Sequence, residues 1–121
     1  MNLATLIAKR AEEGRPIRVG MIGAGKFGTM FLAQAERQRG IHIIGICDLN
    51  PEATRSNLAL VNWNLERYAA KSLDAAAKNG TTHVGDNWEA LVNHPAVEII
   101  IECTGNPMAA VTHILRAFDQ G

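Results

Sequence analysis

Two rhythms of apolar residues alternate along this chain. Short, nearly continuous apolar runs at 17–22, 41–47, 81–84 and 97–103 read as strands, the last being the richest in β-branched residues. Between them lie stretches with helical spacing. The first, 2–13, carries Leu3, Leu6, Ile7 and Arg10 on one face and meets a stop at Gly14. The second, 26–39, carries Phe27, Met30, Phe31 and Ala35 as its expected core side and stops at Gly40. A third opens with Asn50 as cap and Pro51 at the first helical position and runs to about residue 78, with a break expected at Asn62-Trp63-Asn64. Its second piece is amphipathic through Leu65, Tyr68, Ala69, Leu73 and Ala76, and Trp63 reads as a packing anchor. Asp86 is the expected cap of a small helix at 88–92. A last helix, 108–119, would turn Ile114, Leu115 and Phe118 inward.

Strands that are apolar along their whole length belong to a sheet covered on both faces, which means a parallel one. Four strands alternating with helices predict an α/β, Rossmann-like doubly wound parallel sheet in the order 3-2-1-4. A full fold of this kind carries about six strands. Residues 1–121 are therefore expected to be the N-terminal part of a longer protein, with a leading helix at 1–14 and a substrate domain on the C-terminal side. The stretch 62–79 is longer than such a crossover needs and reads as an insertion.

The first strand runs into the most informative residues. Gly23, Gly25 and Gly28 stand at G-x-G-x-x-G spacing. The first glycine permits the sharp turn off the strand, the second lets backbone approach a diphosphate, and the third lets the new helix lie close on the sheet. A helix starting at Lys26 and Phe27 aims free N–H groups and a positive dipole end at phosphate oxygens. The second strand ends in Asp48, 25 residues after Gly23, where a carboxylate can accept hydrogen bonds from ribose hydroxyls. A rival pattern, G-x-x-x-x-G-K over Gly20 to Lys26, lacks the Ser or Thr that holds magnesium, because Phe27 follows the lysine. Gly20 also lies inside the strand. The nucleoside-triphosphate loop is rejected.

A dinucleotide laid from Asp48 across the glycine turn would reach the end of the fourth strand, Cys103-Thr104-Gly105. Gly105 would allow close approach of the nicotinamide ribose and Thr104 could hydrogen-bond to it. Cys103 reads as a strand-end contact, since no paired His activates it. The Asp48 charge repels a 2′-phosphate and favours NAD over NADP, although Arg55 on the next helix could swing to offset it.

Composition narrows the field further. Lys plus Arg and Asp plus Glu each total 12, so no net field draws the chain to nucleic acid or a membrane surface. No apolar run nears the roughly 20 residues of a membrane span, and 1–14 has no secretory pattern, so a cytoplasmic location is expected. Cys47 and Cys103 would be separated by the first strand and are expected as free thiols. His42, His83, His94 and His113 show no metal spacing and read as structural or solvent-facing. No acid–base residue for a hydride-transfer reaction stands out, so the catalytic residue is unassigned and expected in the substrate domain.

Several stretches together resemble a known group: residues 19–28, Cys47-Asp48-Leu49-Asn50-Pro51, Asp86-Asn87-Trp88-Glu89-Ala90-Leu91 and Glu102-Cys103-Thr104-Gly105-Asn106-Pro107. They are similar to the NAD(P)-binding domain of homoserine-dehydrogenase-like oxidoreductases. The nearest likeness is the branch with a SAF domain, which includes deoxyxylulose-phosphate-reductoisomerase-like enzymes of isoprenoid precursor synthesis. The resemblance implies a small-molecule substrate held by a further domain, a homo-oligomer and, for the reductoisomerase-like members, NADPH. The long 65–79 segment sets the chain apart from simpler homoserine dehydrogenases. Two other classes compete. A non-catalytic nucleotide sensor or CoA-binding module would keep the glycine turn without needing the ribose acid. A methyltransferase would fit Asp48 but not the flanks of the turn.

Overall fold

The computed structural model of the chain describes residues 3–23, 26–35 and 39–103. In order come α1 (Leu3–Glu12), β1 (Ile17–Ile22), α2 (Lys26–Ala35), β2 (Ile41–Cys47) and α3 (Pro51–Leu60). A 3-10 turn (Leu65–Tyr68), α4 (Leu73–Asn79), β3 (His83–Gly85), α5 (Trp88–Asn93) and β4 (Ile99–Glu102) follow. The four strands form one parallel sheet in the order β3-β2-β1-β4, as the apolar pattern predicts. The expected helix at 108–119 lies outside the described residues. No described helix is long and apolar enough to cross a membrane.

Alternation along β1 sends Ile17, Val19 and Met21 to one face of the sheet and Gly20 and Ile22 to the other. The first face carries the larger core, where Leu32 and Ala35 of α2, Leu58 of α3, Trp63 and Tyr68 close over the strands. The second face is thinner and packs Leu91 and Val92 of α5 on Cys47 and Ile100. It can be thin because Gly20 pairs with Gly45 across β1 and β2. A methyl group at Gly45 would stand 2.6 Å from Leu73 Cδ2 and 2.7 Å from Leu91 Cδ1. The two missing side chains are the space that Leu91 fills, so α5 sits directly on the strands.

Several expectations about helices need correction. The inward stripe of α2 is Leu32 and Ala35, with Phe31 half-buried, whereas Met30 is 56% exposed rather than core. At 100° per residue, Met30 turns away from a face centred on Leu32. The side chain of Phe27 lies outside the described residues. Arg39 stands in a turn rather than in the helix. The stretch after Asn64 is not one helix, and its Leu65 is 69% exposed. Ser72 interrupts it: its Oγ accepts the Ala75 N–H at 3.1 Å and caps a fresh start for α4. Likewise Asp86 does not cap α5. Asn87 does, its Oδ1 accepting the Ala90 N–H at 3.1 Å.

The insertion has a structural task. Trp63 is 4% exposed, and its indole N–H donates to the Leu32 carbonyl at 3.1 Å, tying the chain after α3 to α2. Arg67 lies 4.9 Å from the centre of that ring and its carbonyl accepts the Thr82 N–H at 2.6 Å. Thr82 Oγ1 donates to the Ile43 carbonyl at 2.5 Å. The His83 ring donates from Nδ1 to the Ala70 carbonyl at 2.8 Å, since a carbonyl can only accept. These bonds anchor the edge strand β3, which has only three residues of its own.

The leading helix is fastened at the opposite end of the sheet. Leu6 and Ile7 rest on the larger core. Arg10, read from the sequence as part of the apolar stripe, instead forks onto Glu98 with bonds of 2.9 and 2.8 Å. Glu98 also accepts the Arg18 N–H at 3.1 Å, so one carboxylate joins α1, β1 and the lead-in to β4. Burial pushes the Glu98 carboxyl up, but the Arg10 bonds, the Arg18 N–H and both guanidinium charges outweigh it and hold it below the ordinary range. A lowered folded pKa means stability that is present above the unfolded value and lost as pH falls through the folded one. Glu98→Gln is therefore expected to cost about 1 kcal/mol at pH 7 once solvent screening is discounted, or roughly 3–6 °C in Tm. Thermal melts across acid pH check this: the gap between wild type and variant should close below the ordinary glutamate range, and a gap that persists there contradicts it.

Candidate cofactor site

The carboxyl ends of all four strands are knitted into one row by backbone hydrogen bonds. Cys103 N–H donates to the Ile22 carbonyl at 2.7 Å, Gly23 N–H to the Cys47 carbonyl at 2.7 Å, and Asp48 N–H to the Gly85 carbonyl at 2.9 Å. Gly23, Asp48 and Cys103 thus share a single edge, with β1 at its middle. This is where parallel α/β sheets bind ligands, because the strand order reverses at β1 and the crossovers there diverge.

Gly23 leaves β1 with φ of +80°, a left-handed conformation that a side chain would strain. Its N–H is already committed to Cys47, so Gly23 makes the turn and donates to no anion. The amides that find no partner within a helix belong here to the start of α2 at Lys26. Gly25 lies outside the described residues, and so do the side chains of Lys26 and Phe27. The backbone of both, and of Gly28, is helical. Thr104 and Gly105 also fall outside the described residues.

On the neighbouring strand, Asp48 and Asn50 form a short relay. Asp48 Oδ1 accepts the Asn50 N–H at 3.2 Å, and Asn50 Oδ1 accepts the Ala53 N–H at 3.2 Å to cap α3. The acid is therefore held in place by the start of the helix that follows it. Arg55 does not reach toward it. Its Nη1 pairs with Glu52 and its Nη2 donates to the Val84 carbonyl at 3.1 Å.

A family model described as an oxidoreductase family with an NAD-binding Rossmann fold, GFO_IDH_MocA, matches residues 17–121. The chain belongs to this family. The GFO_IDH_MocA match begins at the first residue of β1 and leaves α1 outside it. It is broader than the homoserine-dehydrogenase-like resemblance and supports nothing peculiar to that group or to its SAF branch. No match was found among curated proteins.

As a GFO_IDH_MocA member the chain carries an NAD-binding fold, and the edge fits that group chemically. A left-handed glycine, a helix start and a carboxylate held by the next helix lie side by side along it, the kinds of group that a dinucleotide's diphosphate and ribose require. Beside them a cleft of about 380 Å³ opens between α4 and α5, lined by Cys47, Lys71, Ser72, Asp74, Asp86 and His94, among others. His94 Nδ1 accepts the Ala96 N–H at 3.1 Å, so its Nε2 carries the proton and donates to Asp74 at 2.7 Å, clasping α5 to α4. His42 faces the Thr81 carbonyl at 2.8 Å, and burial lowers its pKa. Each described histidine thus has a structural partner. Among the described residues no three His, Cys, Asp or Glu side chains gather as metal ligands.

Asp86 is the residue that sequence reading misassigned. It follows β3 as Asp48 follows β2, and the cap of α5 is Asn87, one residue further on.

Both cysteines are free. Burial pushes the Cys47 thiol up, and the Asp86 and Asp48 charges push it further. Burial and Glu102 do the same to Cys103. A thiol held protonated is a poor nucleophile. Alkylation with iodoacetamide at pH 7 should be slower for both in the folded chain than in urea-unfolded chain, and should speed up on raising the pH. A cysteine that reacts faster folded than unfolded contradicts this.

Proposed function

We propose that the chain is the cofactor-binding domain of an NAD(P)-dependent oxidoreductase. The observation that carries the reading is the hydrogen-bonded row that sets the Gly23 turn and Asp48 side by side at the switch in strand order. Gly23 aims the chain away from the diphosphate path. Gly25 and Gly28 keep that path clear, and the amides from Lys26 onward bind the phosphates. Asp48 accepts from the ribose hydroxyls. Cys103, Thr104 and Gly105 line the nicotinamide end. The bound nicotinamide supplies or accepts the hydride, while these residues orient it. A substrate domain beyond residue 121 supplies the small-molecule substrate site and the proton donor, and the whole protein assembles as a homo-oligomer.

The narrower reading is a homoserine-dehydrogenase-like enzyme of the SAF-bearing branch, acting as a deoxyxylulose-phosphate-reductoisomerase-like enzyme in isoprenoid precursor synthesis. Its support is the sequence likeness that combines Trp88 with the Cys103-Thr104-Gly105 stretch. That likeness brings NADPH with it, whereas the Asp48 charge favours NAD.

Titration with NADH and NADPH, followed by nicotinamide fluorescence, tests the reading. Asp48→Asn keeps an oxygen for the Asn50 N–H but removes the charge, and Asp48→Ala removes both. Binding in the wild type is expected, with NADH affinity falling about tenfold in Asp48→Ala. Silence with both nucleotides at millimolar concentration contradicts the proposal. Unchanged affinity in Asp48→Ala favours the sensor or CoA-binding alternative, which has no use for a ribose acid.

A further inference from the structure

At the amino end of the sheet, opposite the candidate cofactor edge, a second cleft of about 380 Å³ opens between the ends of α1 and α4. Its floor is the start of the sheet, where Arg18 of β1 and His42 of β2 are register partners. Each wall is a helix end followed by a left-handed glycine, Gly14 at φ +70° and Gly80 at φ +72°. A side chain at either glycine would stand in open space, so the described chain leaves room beside both turns.

The charged side chains that line this cleft are Arg10, Arg15, Arg18 and Lys78, and no described carboxylate does. Two of the four are already paired. Arg10 forks onto Glu98, and Arg15 meets Glu13 at 2.7 Å. The other two keep donors to spare. Glu98 lies 3.6 Å from Arg18 Nε, too far for a hydrogen bond, and among the described residues nothing accepts from the terminal nitrogens of Arg18. Lys78 is exposed and has no partner among the described residues. A cation in the last turn complements a helix end, which accounts for Lys78 on α4. Arg18 stands on a strand and has no such reason to face a cleft already lined by cations. His42 adds a ring without a charge: burial, seconded by the charges of Arg67 and Arg18, holds its pKa below the ordinary value despite its bond to the Thr81 carbonyl. Spare donors of like charge around open space are stabilised by an anion set among them.

We propose that this cleft is a phosphate site, taking the terminal dianionic phosphate of a small ligand between Arg18 and Lys78, with Arg15 turning from Glu13 to join them. Cations approach from the floor and from both walls. Three directions suit a tetrahedral oxyanion, whereas a planar carboxylate is met by one guanidinium fork. With Arg10 and Arg15 balanced by Glu98 and Glu13, the lining keeps an excess of two positive charges, those of Arg18 and Lys78. That matches a phosphate monoester above its second ionisation. The diphosphate of a dinucleotide has one charge on each phosphorus and no free end, so this is not a second cofactor site. The proposal stands independently of the cofactor reading. Arg10, Gly14 and Arg15 lie ahead of residue 17, where the GFO_IDH_MocA match begins.

The test is titration of the protein with inorganic phosphate at about pH 8, where it is a dianion, with ionic strength held constant by chloride. Backbone amide and His42 ring chemical shifts report binding. Shifts should gather at Gly14, Arg18, His42 and Gly80 and saturate with a Kd of about 1–10 mM. Lys78→Gln should raise that Kd about fivefold, and Lys78→Glu should raise it further. Lys9→Gln removes a cation from the last turn of α1 outside the cleft and should leave the Kd in place. Lys78 is exposed, and thermal melts of its two variants separate lost binding from misfolding. Dimethyl phosphate, a monoanion, and succinate, a dianion that carries carboxylates, should each bind more weakly than phosphate. No saturable shift at the amino end by about 50 mM phosphate overturns the proposal. So does a Kd unmoved by both Lys78 variants, or moved as far by Lys9→Gln. Succinate or dimethyl phosphate binding as tightly as phosphate also overturns it.

Discussion

Everything at the candidate site depends on β1 being paired on both sides at once. Its partnership with β2 and β4 brings Ile22, Cys47 and Glu102 to a common level, and three further backbone bonds extend the row to Cys103, Gly23 and Asp48. Parallel pairing alone would not achieve this. The ladder between β1 and β2 slips by one residue after Val19, where Ile44 is the extra residue of β2. That irregularity sets Gly20 against Gly45 and Ile22 against Cys47. The bare glycine pair and the level strand ends are thus products of the same shift in register.

The rest of the domain holds this sheet from its two ends. At the amino end, Glu98 gathers Arg10 and the Arg18 N–H into one partly buried cluster. At the edge strand, the insertion clamps β3 through Thr82 and His83. The Glu98 cluster lies at the amino end, away from the candidate cofactor edge, whereas His83 of the second device also lines the cleft beside Cys47. His83, the Ser72 cap, the His94–Asp74 clasp and Leu91 serve packing and also shape that cleft.

The architecture was readable from the chain because its signals are local. Continuous apolar runs fixed the strands, Asn50-Pro51 fixed the start of α3, and the glycine spacing marked the turn, each through a backbone preference that tertiary packing has no reason to override. Rotational phase was harder to read. Met30 and Leu65 fit helical spacing, yet they point outward, since phase depends on which neighbour the helix meets. Choices between competing caps also escaped: Asp86 and Asn87 are both good caps, and one residue of chain path decides between them. Long-range charge pairing was invisible altogether. Arg10 and Glu98 are 88 residues apart, and nothing in either neighbourhood announces the other. The same holds for the nearness of Asp86 to Asp48, which only the register of β2 with β3 reveals.

The central claim is that one edge of the sheet, and not the other, holds a dinucleotide across Gly23 and Asp48. The most direct test is to follow backbone amide chemical shifts of the protein while NADH is added. The account predicts that the largest perturbations fall at Gly23, Asp48 and the start of α2, while Gly14 and Gly80 at the amino edge stay still. Perturbations centred on the amino edge, or an unmoved Gly23 and Asp48 at saturating NADH, would contradict it.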